Sequence, residues 1–216
     1  MNRRTLPIAT ALTTAAFLLL TACGSDDKPE ANDKIAGADS GGTKSATPTA
    51  SPPGESNRPQ ITLPKDVQNV FESWKTGDPT KDSILTDVSQ RINATDAAIA
   101  KGDSNASTLP FYYQGDALIG AAEWIQGYKK DGLSITGTTR YFKPKIEMLG
   151  KTSAGVVYCA DESKAYNKDR KTGKADKSPA SDDSYVYYST RVDKNDRDIW
   201  QTVKLTSKRG HESCTP

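Results

Sequence analysis

The sequence predicts an α+β domain: three N-terminal helices packed against an antiparallel β-sheet, preceded by an export signal and a disordered linker. Three observations carry this. Large apolar residues recur at helical spacing from Leu63 to Tyr128, and from Ser134 onward the pattern changes to short alternating or β-branched runs. Between them and the N-terminal apolar run lie residues 24–60, with Ile35 as the only large apolar side chain. Helices that precede strands, instead of alternating with them, argue for α+β and against a parallel α/β fold.

Residues 1–22 have the parts of an export signal: Arg3 and Arg4, then an apolar run from Ile8 to Leu20 that is too short to span a bilayer. Leu20-Thr21-Ala22-Cys23 closes the run and resembles the lipobox of bacterial lipoproteins. The resemblance implies a diacylglycerol thioether on Cys23 and cleavage just before it. Residues 1–22 are then a lipoprotein signal peptide. The mature chain is held at the extracytoplasmic face of the membrane by the lipid on Cys23. Each buried methylene contributes about 0.8 kcal/mol, so two acyl chains anchor stably where one is marginal. Arg3-Arg4 also fits twin-arginine export, but Thr5-Leu6-Pro7 is a poor continuation, so the route stays open.

Residues 23–60 form the lipidated cysteine and a flexible linker. A coil of this length has a typical end-to-end distance of about 35 Å, enough to hold residues 61–216 clear of the bilayer. The formal charge of +2 is entirely the signal's. Without Arg3 and Arg4 the count is 29 − 2 = 27 basic against 27 acidic residues, which removes a net drive toward nucleic acid. Lipidation of Cys23 leaves Cys159 and Cys214, which should pair outside the cytoplasm. Closing that loop stabilises a fold by roughly 4 kcal/mol.

The elements follow in order. Leu63, Val67, Val70, Phe71 and Trp74 share a helical face, with Pro64 in the first turn and Gly77-Asp78-Pro79 as the stop. A second helix over about Thr80–Lys101 carries Ile84, Leu85, Val88, Ile92 and Ile99, and Gly102 closes it. A third follows Pro110 and runs to about Lys130. Strands are expected over Ser134–Met148, interrupted at Pro144, and over Val156–Ala160, Tyr185–Val192 and Trp200–Leu205. The basic stretch Lys164–Lys177 reads as a hairpin tip or loop whose charge keeps it solvated.

Helix-helix-helix-strand, Gly115-Asp116-Ala117-Leu118, and Thr136-Gly137-Thr138 after Gly132-Leu133 resemble a group of actinobacterial lipoproteins. So do Val156-Val157-Tyr158-Cys159 and Trp200-Gln201-Thr202-Val203. The resemblance implies a nuclear-transport-factor-2-like cone over 61–216, in which a curved sheet wraps around the helices and encloses a pocket. That cone hosts enzymes, ligand binders and assembly domains alike.

Its enzymes use Asp, Tyr and His groups, and here Tyr112, Tyr113 and Asp116 cluster at the start of the third helix. Tyr141 and Tyr187 could face the same cavity. Asp116 with Tyr113 is the candidate catalytic pair, since a phenol beside a carboxylate can stabilise an enolate and move a proton. The bland reading makes Asp116 a helix cap and the tyrosines core. His211, the only histidine, is expected on the surface near the disulfide. No metal-ligand spacing or phosphate loop occurs, so neither metal nor cofactor is expected. The sequence thus reads as a non-catalytic binding or docking domain in the cell envelope, for a small apolar ligand or an envelope protein. The alternative is a proton-transfer enzyme of isomerase or dehydratase type.

Overall fold

The computed structural model describes residues 58–216. The signal 1–22, Cys23 and nearly all of the linker lie outside these residues. The described chain runs β1 (Val67–Phe71), α1 (Pro79–Lys101), α2 (Leu109–Tyr112), α3 (Gly115–Lys130), β2 (Leu133–Met148), β3 (Ser153–Asp169), β4 (Tyr185–Lys194) and β5 (Trp200–Arg209). The five strands form one sheet in the order β1-β2-β3-β4-β5. Helix α1 packs on β2 and β5, and α3 on the same two strands. No described helix is long and apolar enough to cross a membrane.

The first expected helix is instead strand β1. It pairs parallel to β2, from Val67 opposite Gly137 to Phe71 opposite Tyr141. The sheet is therefore mixed, not antiparallel. The same residues fit both periods: Val67, Asn69 and Phe71 fall on one strand face, while Val67, Val70, Phe71 and Trp74 also fall on one helix face. Pairing with the edge of β2 satisfies this short segment's backbone, and α1–α3 supply the crossover that two parallel strands need.

Helix α1 forms as expected. Asp78 accepts hydrogen bonds from the Thr80 and Lys81 N–H groups at 2.8 and 3.0 Å, Pro79 occupies the first turn, and Gly102 takes the left-handed conformation at the end. The third expected helix is broken in two. Tyr113 and Gln114 are extended, and the Gln114 N–H donates to the Thr202 carbonyl of β5 at 2.9 Å. This break turns the Tyr113 side chain inward.

Strand β3 is far longer than the apolar run that announced it. Its polar end pairs with the start of β2, Lys164 opposite Thr138 and Asp169 opposite Leu133. The first six residues of the expected basic loop, Lys164–Asp169, are therefore strand. Lys168 bonds Asp66 at 2.5 Å, and the Arg170 guanidinium donates to the carbonyls of Ile99 and Ala100, capping α1. Register shifts in the β2–β3 and β4–β5 pairings, with extra residues on β2, β3 and β5, bend the sheet over α1, in keeping with the expected cone. Just before the first shift, Gly137 has φ +99°, and a Cβ there would lie 2.1 Å from the Lys164 carbonyl oxygen.

Cys159 on β3 is bonded to Cys214 in the C-terminal tail, with Cα atoms 5.5 Å apart. The tail lies on the side of the sheet away from α1. There His211 stacks on Tyr187 with ring centres 4.5 Å apart, and Lys143 donates to the Ser213 carbonyl. Both cysteines are buried. Replacing either one by serine should lower the melting temperature to the same degree as replacing both, by the equivalent of roughly 4 kcal/mol. Thermal unfolding of the three variants checks this; a double variant much weaker than either single would contradict it.

Candidate functional site

Helix α1 carries a polar row inside its apolar face. Asp87, Arg91 and Thr95 follow at intervals of four, among Ile84, Val88, Ile92 and Ile99. Each has a separate role. Asp87 is fully buried and holds the Arg58 guanidinium through two bonds of 2.9 and 3.1 Å, while accepting from the Trp200 N–H at 3.0 Å. This pair ties the chain before β1 to the start of β5. It lies away from the cavity.

Arg91, one turn on, lines a cavity of about 800 Å³ between the helices and the sheet. The residue is 4% exposed, and among the described residues no carboxylate forms an ion pair with it. Its partners are phenols. One terminal nitrogen donates to the Tyr158 hydroxyl oxygen at 2.5 Å and the other to that of Tyr113 at 3.3 Å. Burial alone would lower the guanidinium's pKa. The Tyr158 and Tyr113 oxygens more than offset it and hold the charge in place.

The two phenols are not equivalent. Thr95 gives its hydroxyl proton to the Arg91 carbonyl at 2.9 Å, so Tyr113, 2.9 Å from Thr95 Oγ1, donates there. Tyr158 has no acceptor among the described residues. Its O–H is left for whatever enters the cavity. Beside it, Tyr141 is 7% exposed, lines the cavity and has no hydrogen-bond partner among the described residues. The rings of Phe71, Tyr141, Tyr158 and Tyr188 pack against one another in sequence, which fixes both hydroxyls in place.

Asp96 supplies the carboxylate. Its Oδ2 accepts from Asn69 Nδ2 at 2.7 Å, and Asn69 is placed by β1. Its Oδ1 has no donor among the described residues, and the half-buried side chain lines the cavity. Burial pushes its pKa up to about 6, the Asn69 bond and the Arg91 charge oppose that rise, and Glu162 adds to it. Glu162 itself is bonded to Arg209 at 2.7 Å. Burial, and then the Asp96 charge, also raise the Tyr141 hydroxyl well above its usual range.

The sequence candidates are distributed differently from expectation. Tyr113 and Asp116 both line the cavity, but no hydrogen bond joins them. Asp116 is exposed in the first turn of α3. Tyr112 points into a separate cluster with Ala94 and Ile199, where burial, then the nearby Asp87, pushes its pKa up to about 12. Tyr187 does not reach the cavity; strand alternation sends it to the tail side and brings Tyr188 in. His211 lies near the disulfide, as expected. Among the described residues no group of three or more His, Cys, Asp or Glu is placed to hold a metal.

Sequence reading missed Arg91, Asp96, Asn69 and Tyr158. One signal was present: charged and hydroxyl side chains repeating every four residues within an apolar helix face. Asn69 was hidden by the assignment of β1 to a helix.

No protein-family model matches the sequence, and no curated protein matches it. Solved structures do align. A ketosteroid isomerase-like protein from Erwinia carotovora atroseptica SCRI1043 is 14% identical, with a TM-score of 0.39, over 57% of this chain and 94% of its own. Hexachlorocyclohexane dehydrochlorinase LinA-type3 from Novosphingobium barchaimii LL02 is 7% identical, with a TM-score of 0.42, over 61% and 90%. An NTF-2 like protein of unknown function from Shewanella oneidensis MR-1 is 19% identical, with a TM-score of 0.33, over 56% and 96%. With every score below 0.5, these likenesses carry no residue role across to this chain.

The raised Asp96 value has a consequence for stability. A carboxyl whose pKa is higher folded than unfolded binds its proton more readily when folded, so stability falls as pH rises from about 4 to about 6. Asp96→Asn should raise the melting temperature near pH 8, by the equivalent of roughly 3 kcal/mol, and leave it unchanged near pH 4. Thermal melts at the two pH values check this; an equal change at both would contradict it.

Proposed function

We propose that the domain is a small-molecule proton-transfer enzyme that acts on a partly apolar carbonyl compound bound in the cavity. The observation that carries this is the free Oδ1 of Asp96, a carboxylate with a pKa near 6, in a cavity whose Tyr158 hydroxyl is polarised by Arg91. A base poised near neutral pH and a donor for the developing oxyanion are the two groups that abstraction beside a carbonyl requires. The fused ring wall and the apolar side chains of Ile92, Ile99 and Ile135 suit the remainder of the molecule.

The step is as follows. Asp96 Oδ1 takes the proton from the carbon next to the carbonyl, the C–H pair becomes the enolate double bond, and the carbonyl oxygen takes the negative charge. Tyr158 donates to that oxygen, with Arg91 behind it. Tyr141, also without a partner among the described residues, is the second donor. The protonated Asp96 then returns the proton at another carbon, which gives an isomer. Where a β-substituent can depart with the electron pair, the result is elimination. Tyr113 positions Arg91 and Thr95 and does not itself meet the substrate oxygen.

The test uses the full chain and 3-cyclohexenone, whose conversion to 2-cyclohexenone is followed by ultraviolet absorbance. Activity should rise with pH and level off above about 6, as Asp96 ionises. Burial raises this midpoint, the facing Asn69 and Arg91 oppose the rise, and Glu162 adds to it. Asp96→Asn should lower the rate by about 10²–10⁴-fold. Tyr158→Phe should lower it by about a hundredfold. A wild-type rate no greater than that of Asp96→Asn would overturn the assignment.

We further propose, from Leu20-Thr21-Ala22-Cys23 alone, that the chain is a lipoprotein anchored through Cys23 at the extracytoplasmic face of the membrane. Cys23→Ala should move the protein from the membrane to the soluble fraction and abolish its labelling by an acyl precursor. Continued labelling of that variant would contradict the anchor.

A further inference from the structure

The cavity's charge and its mouth are not explained by proton transfer to and from a neutral carbonyl compound. Five carboxylates line it against two guanidiniums, and no lysine does. Glu162 is paired with Arg209, and Asp96 lies within the field of Arg91. Asp116, Asp176 and Asp183 carry no ion pair among the described residues, so the lining is net negative.

Helix α3 borders the cavity along one ridge. Asp116, Gly120, Trp124 and Tyr128, spaced by four, all line the cavity. Gly120 sits in mid-helix, where glycine costs about 1 kcal/mol relative to alanine, and a Cβ placed there would meet nothing within 4 Å. The result is a gap one side chain deep, with a carboxylate one turn before it and an indole one turn after. Trp124 is 57% exposed and meets Tyr128 edge to face at 5.3 Å. Elsewhere this chain places cations over its rings: Arg140 over Phe142, Lys194 over Trp200, Arg197 over Phe111. Among the described residues none lies over Trp124 or Tyr128.

We propose that the gap over Gly120, between the Asp116 carboxylate and the Trp124 ring, takes an organic ammonium group. The substrate is then an amine-bearing carbonyl compound, its positive end at the mouth and its oxygen at the floor. The inference rests on reading the cavity as the substrate site. The cavity supplies an independent mark of a ligand: Tyr141, 7% exposed, lines it and its hydroxyl has no hydrogen-bond partner among the described residues. A quaternary or protonated amine is held by an aromatic face together with a carboxylate, whereas an anion would be repelled by the three unpaired carboxylates. The two ends are complementary: Arg91 and the phenols take the oxygen, and the α3 ridge takes the nitrogen.

The full chain is titrated with benzyltrimethylammonium, its uncharged isostere neopentylbenzene and the anion phenylmethanesulfonate. Calorimetry measures binding, and indole fluorescence reports on Trp124, the exposed tryptophan of the three. The cation should bind about tenfold tighter than the isostere and quench the exposed indole. Asp116→Asn should remove most of that preference. Gly120→Leu, which the empty space and the helical backbone accommodate, should block binding without lowering the melting temperature. Equal affinity for cation and isostere, tighter binding of the sulfonate, or unchanged binding in Gly120→Leu would overturn the proposal. Ketone isomerisation is scored separately. Conversion without cation preference overturns the amine subsite alone, and cation preference without conversion overturns the proton-transfer reading alone.

Discussion

A buried arginine that forms no ion pair among the described residues is the constraint around which this domain is arranged. Leaving such a charge without partners inside a protein costs several kcal/mol. The cost is met here by phenol oxygens. Tyr158 and Tyr113 accept from Arg91, and each is held by a different part of the fold: Tyr158 by the aromatic row on the sheet, Tyr113 by the break between α2 and α3. A carboxylate in either place would neutralise the guanidinium and leave nothing to polarise. With phenols, the positive charge is passed outward to an O–H that lines the cavity. The same low-polarity surroundings that make Arg91 costly also lift Asp96 toward neutral pH.

The rest of the architecture divides between supporting that centre and closing the shell around it. The Arg58–Asp87 pair and the Asp87–Trp200 bond fix the first half of α1 to the start of β5. Arg170 fixes the other end of the helix by capping its last carbonyls. Between these two clamps lie the residues that face the cavity. The disulfide acts on the opposite side of the sheet, where it pins the C-terminal tail to β3. These three ties are made by side chains that do not line the cavity, on elements that do. Asp96, by contrast, is a site where ionisation works against folding, as is common where a fold holds a reactive group.

Much of the frame was legible in the sequence. Asp78-Pro79 and Gly102 mark the ends of α1 so plainly that propensity and tertiary packing agree there. The change to strands after Gly132 and the bulge near Pro144 were equally clear. The Cys159–Cys214 pair followed from counting thiols. What failed was local pattern where two periods coincide. Val67, Val70, Phe71 and Trp74 satisfy a helix as well as a strand, and only the free edge of β2, some seventy residues later, decides between them. The polar half of β3 failed for the opposite reason: residues that face a polar cavity do not alternate as residues facing a core do. The site was half legible for the same cause. Tyr113 and Asp116 stand together in sequence and were seen. Asp96, Asn69 and Tyr158 meet only through the pairing of β1 with β2 and the packing of α1 on the sheet.

The central claim is that Asp96 is a base poised in the cavity, and its titration tests that most directly. Carboxyl carbon resonances of ¹³C-labelled full chain, assigned by comparison with Asp96→Asn, give the midpoint without any substrate. The account predicts a midpoint near 6 for Asp96. A midpoint at or below about 4, the range of an ordinary exposed aspartate, would contradict it.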